Sequence, residues 1–229
     1  MMGWTEKYKK AVTFSYDDGV AQDLRLLEIF NRYGMKATFN LNTGLNAENG
    51  SWVYMGKEVK RLNLSEHVKA YEGHEIAVHT RTHPNLLEVD KETFDREVGE
   101  DAKEIERLFG KKPVGMAYPY GTYNEEIIAK LPTYGIHYSR GVWQNYDFAI
   151  QDNLLAFRPT CHHDDEQLFE LAERFLAMEP EEPQIFYIWG HAYEFDGKEN
   201  WERMEKLCQM LAGKDDIFYG TNAEVLLEK

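Results

Sequence analysis

The sequence predicts an α/β fold on a parallel sheet, with a barrel preferred to an open sheet, and three observations carry that expectation. Short apolar, β-prone runs alternate with segments whose apolar residues keep helical spacing. No internal repeat and no linker interrupts the alternation, as expected of parallel strands joined by right-handed crossovers. Polar motifs fall directly after four of the strands, near 11–16, 75–78, 113–118 and 184–189. In a barrel the active groups gather at the C-terminal strand ends, whereas an open sheet concentrates them near one switch point.

The first strand, Ala11-Val12-Thr13-Phe14, runs into Ser15-Tyr16-Asp17-Asp18-Gly19. The spacing of Leu24, Leu27, Ile29 and Phe30 predicts a helix stopped by Gly34, and 36–41 is the next strand. Residues 42–63, rich in Asn and Gly, predict a long functional loop or a short helical excursion. Ser65 caps a helix through 71–73, and 75–78 is a strand ending in His79. Asp90 opens a long helix to Phe109-Gly110, and 113–118 is a strand ending in Pro119-Tyr120-Gly121. A helix over 124–131, a short strand over 135–139 and a strand over 154–159 follow. Asp164 or Asp165 caps a helix through Ala177, and the apolar run 184–189 reads as a fully buried strand. A helix over 201–211, a strand over 217–219 and a helix from Asn222 close the chain.

Composition narrows the function. A hydrophobic content of 43% in 229 residues suffices for a sizeable core. A net charge of −14 disfavours nucleic acid and anionic membranes, which need clustered Lys and Arg. Cys161 and Cys208 form no CxxC pair, so they predict buried thiols rather than a zinc or disulfide framework, although one bridge between them stays open. The N-terminal residues lack an apolar leader segment and no apolar run approaches the roughly 20 residues of a membrane span, so the expectation is a soluble cytoplasmic protein. Oligomeric state is not legible.

Two motifs carry chemistry. At the end of the first strand, Asp17 and Asp18 can both reach one cavity if the backbone turns there, dividing the work of base and metal ligand. The alternative is a turn that caps the next helix. His79-Thr80-Arg81-Thr82-His83-Pro84 holds two histidines four apart, with Thr80 where a zincin has Glu, so the zincin reading fails. Two imidazoles and one carboxylate make a three-ligand set with open positions, as catalytic zinc and other divalent ions require.

These motifs resemble the NodB-type polysaccharide deacetylases, carbohydrate esterase family 4, as do the looser Tyr118-Pro119-Tyr120-Gly121 and Trp189-Gly190-His191. The likeness runs over nearly the whole chain and implies one NodB-like domain over 1–229, folded as a distorted (β/α) barrel with about seven parallel strands. It implies that Asp18, His79 and His83 hold a divalent metal, zinc foremost with cobalt or nickel as alternatives. Asp17 is then the general base, His191 the general acid, and Thr80 the brace of the histidine loop. Tyr120, Trp189 and Arg140 fall among the substrate-side residues: Tyr120 through its N–H toward an oxyanion, Trp189 in the acetyl pocket. The implied reaction is hydrolysis of an N- or O-acetyl group from a sugar or oligosaccharide.

Three departures stand out. Ala117 occupies the position of the family arginine that orients the base, and Arg140 or Arg158 is the candidate to supply that charge from a different strand. The fourth motif has only Trp143 to Phe148 as a counterpart, with Asp147 the candidate partner of His191. Trp189 is bulky for an acetyl pocket. Cys161-His162-His163-Asp164-Asp165 is read as a loop with an Asp cap, His162 or His163 being able to touch substrate. Trp52, Tyr54, Tyr120, Trp143 and Tyr193 are either sugar-stacking walls or core and rim aromatics, and the charged runs 91–107 and 198–206 are solvated helix faces. Hydrolysis of a non-sugar C–N bond, a silent carbohydrate-binding relative and a non-haem iron oxygenase are the competing readings. Asp17 argues against the second and the βα alternation against the third.

Overall fold

The structure is a computed structural model and describes residues 2–227. In chain order its elements are β1 (Lys10–Asp17), α1 (Asp23–Tyr33), β2 (Ala37–Leu41), β3 (Trp52–Tyr54), β4 (Lys57–Val59), α2 (Leu64–His67), β5 (Glu75–Val78), α3 (Lys91–Phe94) and α4 (Asp101–Phe109). There follow β6 (Gly115–Ala117), α5 (Glu125–Lys130), β7 (Tyr138–Arg140), β8 (Cys161–His162), α6 (Leu168–Ala177), β9 (Gln184–Gly190), α7 (Tyr193–Lys198), α8 (Trp201–Leu211), β10 (Ile217–Tyr219) and α9 (Asn222–Leu226).

The main sheet is parallel at every pairing and runs β7-β6-β5-β2-β1-β9-β8, with β10 as an eighth strand on β1. β1 forks: its N-terminal half pairs β10 (Lys10 with Ile217) and its C-terminal half pairs β2 (Asp17 with Asn40). The two ends of the path meet through residues 157–163. Phe157 N donates to Ser139 O and Gly141 N to Phe157 O, after which Thr160 N donates to Tyr187 O and His163 N to Trp189 O. The sheet thus curls into the distorted barrel that the sequence predicts.

Alternation along β1 sets up two cores, because successive strand residues face opposite sides. Val12, Phe14 and Tyr16 pack outward with Phe30, Phe39, Phe186 and Leu207 under the helices. Thr13, Ser15 and Asp17 point inward, where Ser15, Asn40 and Arg140 join in one hydrogen-bonded layer beneath Asp17. Below it, Asn222 of α9 donates to Thr13 Oγ1 at 2.8 Å and Ala223 N to Glu75 Oε2 at 2.8 Å, closing the opposite end of the barrel. Thr13, Ser15, Asn40, Glu75, Arg140 and Asn222 of this interior find partners in one another or in neighbouring backbone, which offsets their desolvation.

Four local expectations are corrected. Residues 42–63 contain an antiparallel hairpin, β3–β4, held against Gly19 and Ala21 by Leu62 N to Gly19 O and Ala21 N to Lys60 O. The strand expected at 154–159 begins at Cys161, since Leu154–Ala156 is a 3-10 turn. Asn63, rather than Ser65, stands at the cap of α2. The helix from Asp90 to Gly110 has the expected ends but carries a π-helical stretch over Asp95–Glu100, and it is not solvated throughout: Glu97 and Asp101 are buried. Both cysteines are buried free thiols.

Candidate active site

The mouth is built from the ends of β1, β5, β6, β7 and β9. At the end of β1 the chain leaves extended conformation, with Asp18 at φ 86 and Gly19 at φ 68. That turn brings Asp18 beside Asp17 instead of onto the opposite face, as the two-carboxylate reading requires. Thr80 (φ 66), His83 (φ 61) and Tyr120 (φ 58) share the left-handed region, so four of the seven non-glycine residues with positive φ among the described residues line this one mouth. Such backbone persists only where its surroundings fix it.

The histidine loop is fixed from three sides. Asn42 Nδ2 donates to His79 O and Thr80 O, and His83 N donates to Thr80 Oγ1 at 3.1 Å, the brace expected of Thr80. The π-helical stretch supplies the third: Glu97 O accepts from Arg81 N at 2.9 Å, and the Glu97 carboxylate accepts from Thr82 N and Thr82 Oγ1. π-bulges recur at functional sites. Asp101 accepts from Thr43 and from His79 N, and burial pushes its carboxyl up to about 7.

Asp18 Oδ1 lies 3.8 Å from His79 Nε2 and 3.8 Å from His83 Nε2. His79 Nδ1 donates to Ala117 O at 2.8 Å, which leaves Nε2 aimed at Asp18, buried and without a hydrogen-bond partner. An orphaned imidazole nitrogen facing a second imidazole and a carboxylate is what a divalent cation satisfies, so the donor set fits a metal. Burial lowers both histidines, His83 to about 4, which keeps the imidazoles neutral as ligands must be.

Asp17 is held differently. Its Oδ1 accepts from Arg140 Nη2 at 2.5 Å and Asn40 Nδ2 at 2.8 Å. Its Oδ2 faces His79 Nε2 at 4.0 Å and His191 Nε2 at 3.9 Å. Burial raises the Asp17 carboxyl, but Arg140, His79 and His191 outweigh it and the group lies below its ordinary value. Arg140 thus supplies Asp17 with the positive charge that Ala117 lacks. It is fully buried beneath Asp17, so its placement among the substrate-side residues is corrected: its donors go to Asp17, Ser15 and Gly141 O. Arg158 is not involved, since it bonds Trp143 O and Gln144 O at the surface.

His191 has Asp17 and Asp18 on Nε2, while Glu194 Oε2 lies 3.4 Å from Nδ1 and accepts the His191 backbone N–H at 3.2 Å. Burial lowers this imidazole, but Glu194, with Asp18 and Asp17, raises it to about 9. Glu194 replaces Asp147 as the acidic partner; the Asp147 carboxylate accepts backbone N–H groups of Phe148 and Ala149. The spacing His191-x-x-Glu194 on one turn was the available signal.

Trp189 lies under the mouth with Arg140 Cζ 4.6 Å from its ring centre and His162 against its edge at 4.7 Å. Its Nε1 is buried and without a partner. Tyr120 is 61% exposed at the rim, its ring packed on His83 at 4.8 Å. Arg61 is a site residue that sequence reasoning missed. It follows β4, donates to Asp18 O at 2.5 Å and Asp18 Oδ1 at 3.1 Å, and stacks on Trp52 at 5.2 Å. Burial raises the Asp18 carboxyl, but Arg61 first and the three histidines after it bring it to about 2. Trp52 and Tyr54 both pack edge-on against Tyr193, whose ring is 5.2 Å from His191, so these three aromatics line one side of the mouth together. No helix among the described residues is long and apolar enough to cross a membrane.

Residues 5–139 match the family described as Polysaccharide deacetylase. A peptidoglycan-N-acetylglucosamine deacetylase from Bacillus cereus is 32% identical over 129 residues, covering 52% of this chain and 42% of the relative. The chain spans under half the length of the curated relatives it matches. Among solved structures, a family 4 carbohydrate esterase from Streptomyces lividans superposes with a TM-score of 0.57 at 16% identity over 93% of both chains. A CE4 family pseudoenzyme from Bacillus anthracis superposes with a TM-score of 0.60 at 17% identity, over 97% of this chain and 67% of the other. At those identities the likeness shows the fold alone.

Proposed function

This chain belongs to the polysaccharide deacetylase family, and from that premise we propose that it hydrolyses an acetyl group from an N- or O-acetylated sugar or oligosaccharide. The observation that carries the reading is the convergence of Asp17, Asp18, His79, His83 and His191 at one barrel mouth, each within 4.0 Å of another member of the set. The whole chain acts as one domain in this reading, because the site draws on strand ends from β1 to β9.

Asp18, His79 and His83 would hold a divalent ion of the zinc class. Such an ion supplies, when bound, Lewis acidity toward the acyl oxygen and a lowered pKa for water. The other steps belong to side chains. Arg140 and Asn40 occupy Oδ1 of Asp17, so Oδ2 is the oxygen left to accept a proton from the attacking water. Arg61 holds Asp18 in its left-handed turn. The N–H of Tyr120, in the turn after β6, is assigned to the developing oxyanion, a contribution of roughly 3–4 kcal/mol for a good donor. His191, kept protonated through neutral pH by Glu194, gives a proton to the leaving amine or alkoxide. Trp189, held by Arg140, forms part of the floor beneath the mouth.

The retained base separates this site from a silent binder, which has no chemical need for an oriented Asp17. The test is acetate release from N-acetylated chito-oligosaccharides and from O-acetylated xylan. Release from either supports the reading and identifies the bond; release from neither, with sugar binding retained, supports a binding relative instead.

A further inference from the structure

We propose that His162, His163, Asp164 and Glu194 form a second divalent-metal site, closed by four protein ligands and suited to an ion of the zinc class. One ligand atom from each lies within 4.8 Å of every other. The closest approaches are His162 Nε2 to Glu194 Oε2 at 3.1 Å, His163 Nε2 to Glu194 Oε2 at 3.2 Å and His163 Nε2 to Asp164 Oδ2 at 3.4 Å. Four ligands at about 2.0–2.1 Å in a tetrahedron stand roughly 3.3–3.4 Å apart, so these separations suit the geometry of a structural zinc site.

His163 is the second, independent indication. It is fully buried, and Nε2 has no hydrogen-bond partner although two carboxylate oxygens lie within 3.4 Å. His79 Nε2 shows the same orphaned state in the first site. Tyr16 OH, 3.1 Å from His163 Nδ1, and Phe195, stacked at 4.2 Å, fix the ring in that direction. Two imidazoles with two carboxylates form a neutral complex with a divalent ion, and mixed nitrogen and oxygen ligands favour zinc over magnesium or calcium.

The neighbours define what loading requires. Lys198 Nζ lies 2.6 Å from Asp164 Oδ2, and Asn200 Nδ2 lies 3.3 Å from Oδ1. Asp164 N donates to His162 Nδ1 at 3.2 Å, a contact that must open so that Nδ1 carries the ring proton when Nε2 binds. Glu194 also serves His191, so the second ion sits directly behind the proposed acid. Its evident task is to pin the end of β8 to the start of α7.

The test uses the full chain stripped of metal, titrated with Zn²⁺ by calorimetry and then measured for bound metal after dialysis. Wild type binds two equivalents, His163→Gln one, Asp18→Asn one, and the double variant none. A single equivalent in wild type that His163→Gln leaves intact overturns the proposal. Should His163→Gln fail to fold, Asp18→Asn loaded with Co²⁺ decides. An intense visible spectrum of tetrahedral cobalt supports the second site, and no bound cobalt in that variant overturns it. None of these readouts depends on deacetylase activity.

Discussion

Arg140 Nη2 lies 2.5 Å from Oδ1 of Asp17 across 123 residues of sequence, and both side chains are buried. The guanidinium comes from β7, two strands past the end of β5 that carries His79. Its position anchors Oδ1 of Asp17 and leaves Oδ2 facing His79 and His191.

Removing that guanidinium leaves a buried carboxylate unpaired. Arg140→Ala is expected to cost about 3–5 kcal/mol of stability, the range for breaking a buried ion pair. Urea unfolding measures it, and deacetylation falls with it because Asp17 loses its orientation.

The roles proposed for Asp17 and Asp18 are separable although the residues are adjacent. Asp17→Asn is expected to lower kcat by about 10²–10⁴ while metal stoichiometry stays as in wild type. Asp18→Asn is expected to lose one equivalent of metal. Metal analysis beside steady-state kinetics distinguishes the two.

Glu194 sets the alkaline limb of the rate. In the proposed mechanism His191 must carry its proton to act as acid, and with no ion on Glu194 its imidazole is raised from 6.5 to about 9, so activity is retained through neutral pH and falls as pH rises through about 9, whereas an ion on Glu194 moves that limb down. Glu194→Gln removes the largest raising influence. The limb is expected to move down toward the ordinary imidazole range, read from kcat/KM against pH.

The last residue of β9 tolerates no side chain. A Cβ on Gly190 would stand 2.0 Å from His163 Nδ1, whose ring is packed on Tyr16 and Phe195. Gly190→Ala is expected to cost about 1–3 kcal/mol by overpacking, measured by thermal or urea unfolding.

The sequence was informative where local chemistry and tertiary role coincide. Helix α8 has the bounds its periodicity predicts, and the Asp and His motifs meet at strand ends because a parallel barrel puts all such ends on one face. It was silent where a role depends on distant partners. Arg140 and Arg158 stood as equal candidates for the charge missing at Ala117, and only the placement of β7 beside β6 puts Arg140 against Asp17. Glu97 and Asp101 look like part of a solvated charged helix, and only the π-helical stretch turns them toward the histidine loop. Arg61 reaches Asp18 only because a hairpin, hidden in an Asn- and Gly-rich stretch, lies over the turn after β1. His162 and His163 look like loop polarity until α7 brings Glu194 to them.

The most direct measurement is acetate release from N-acetylated chito-oligosaccharide by protein stripped of metal and then reloaded with zinc, wild type beside Asp17→Asn. Release that returns with zinc in wild type and stays absent in the variant is the expected result. Equal release by the variant, or release by stripped wild type that zinc does not change, would contradict a metal-assisted hydrolysis in which Asp17 is the base.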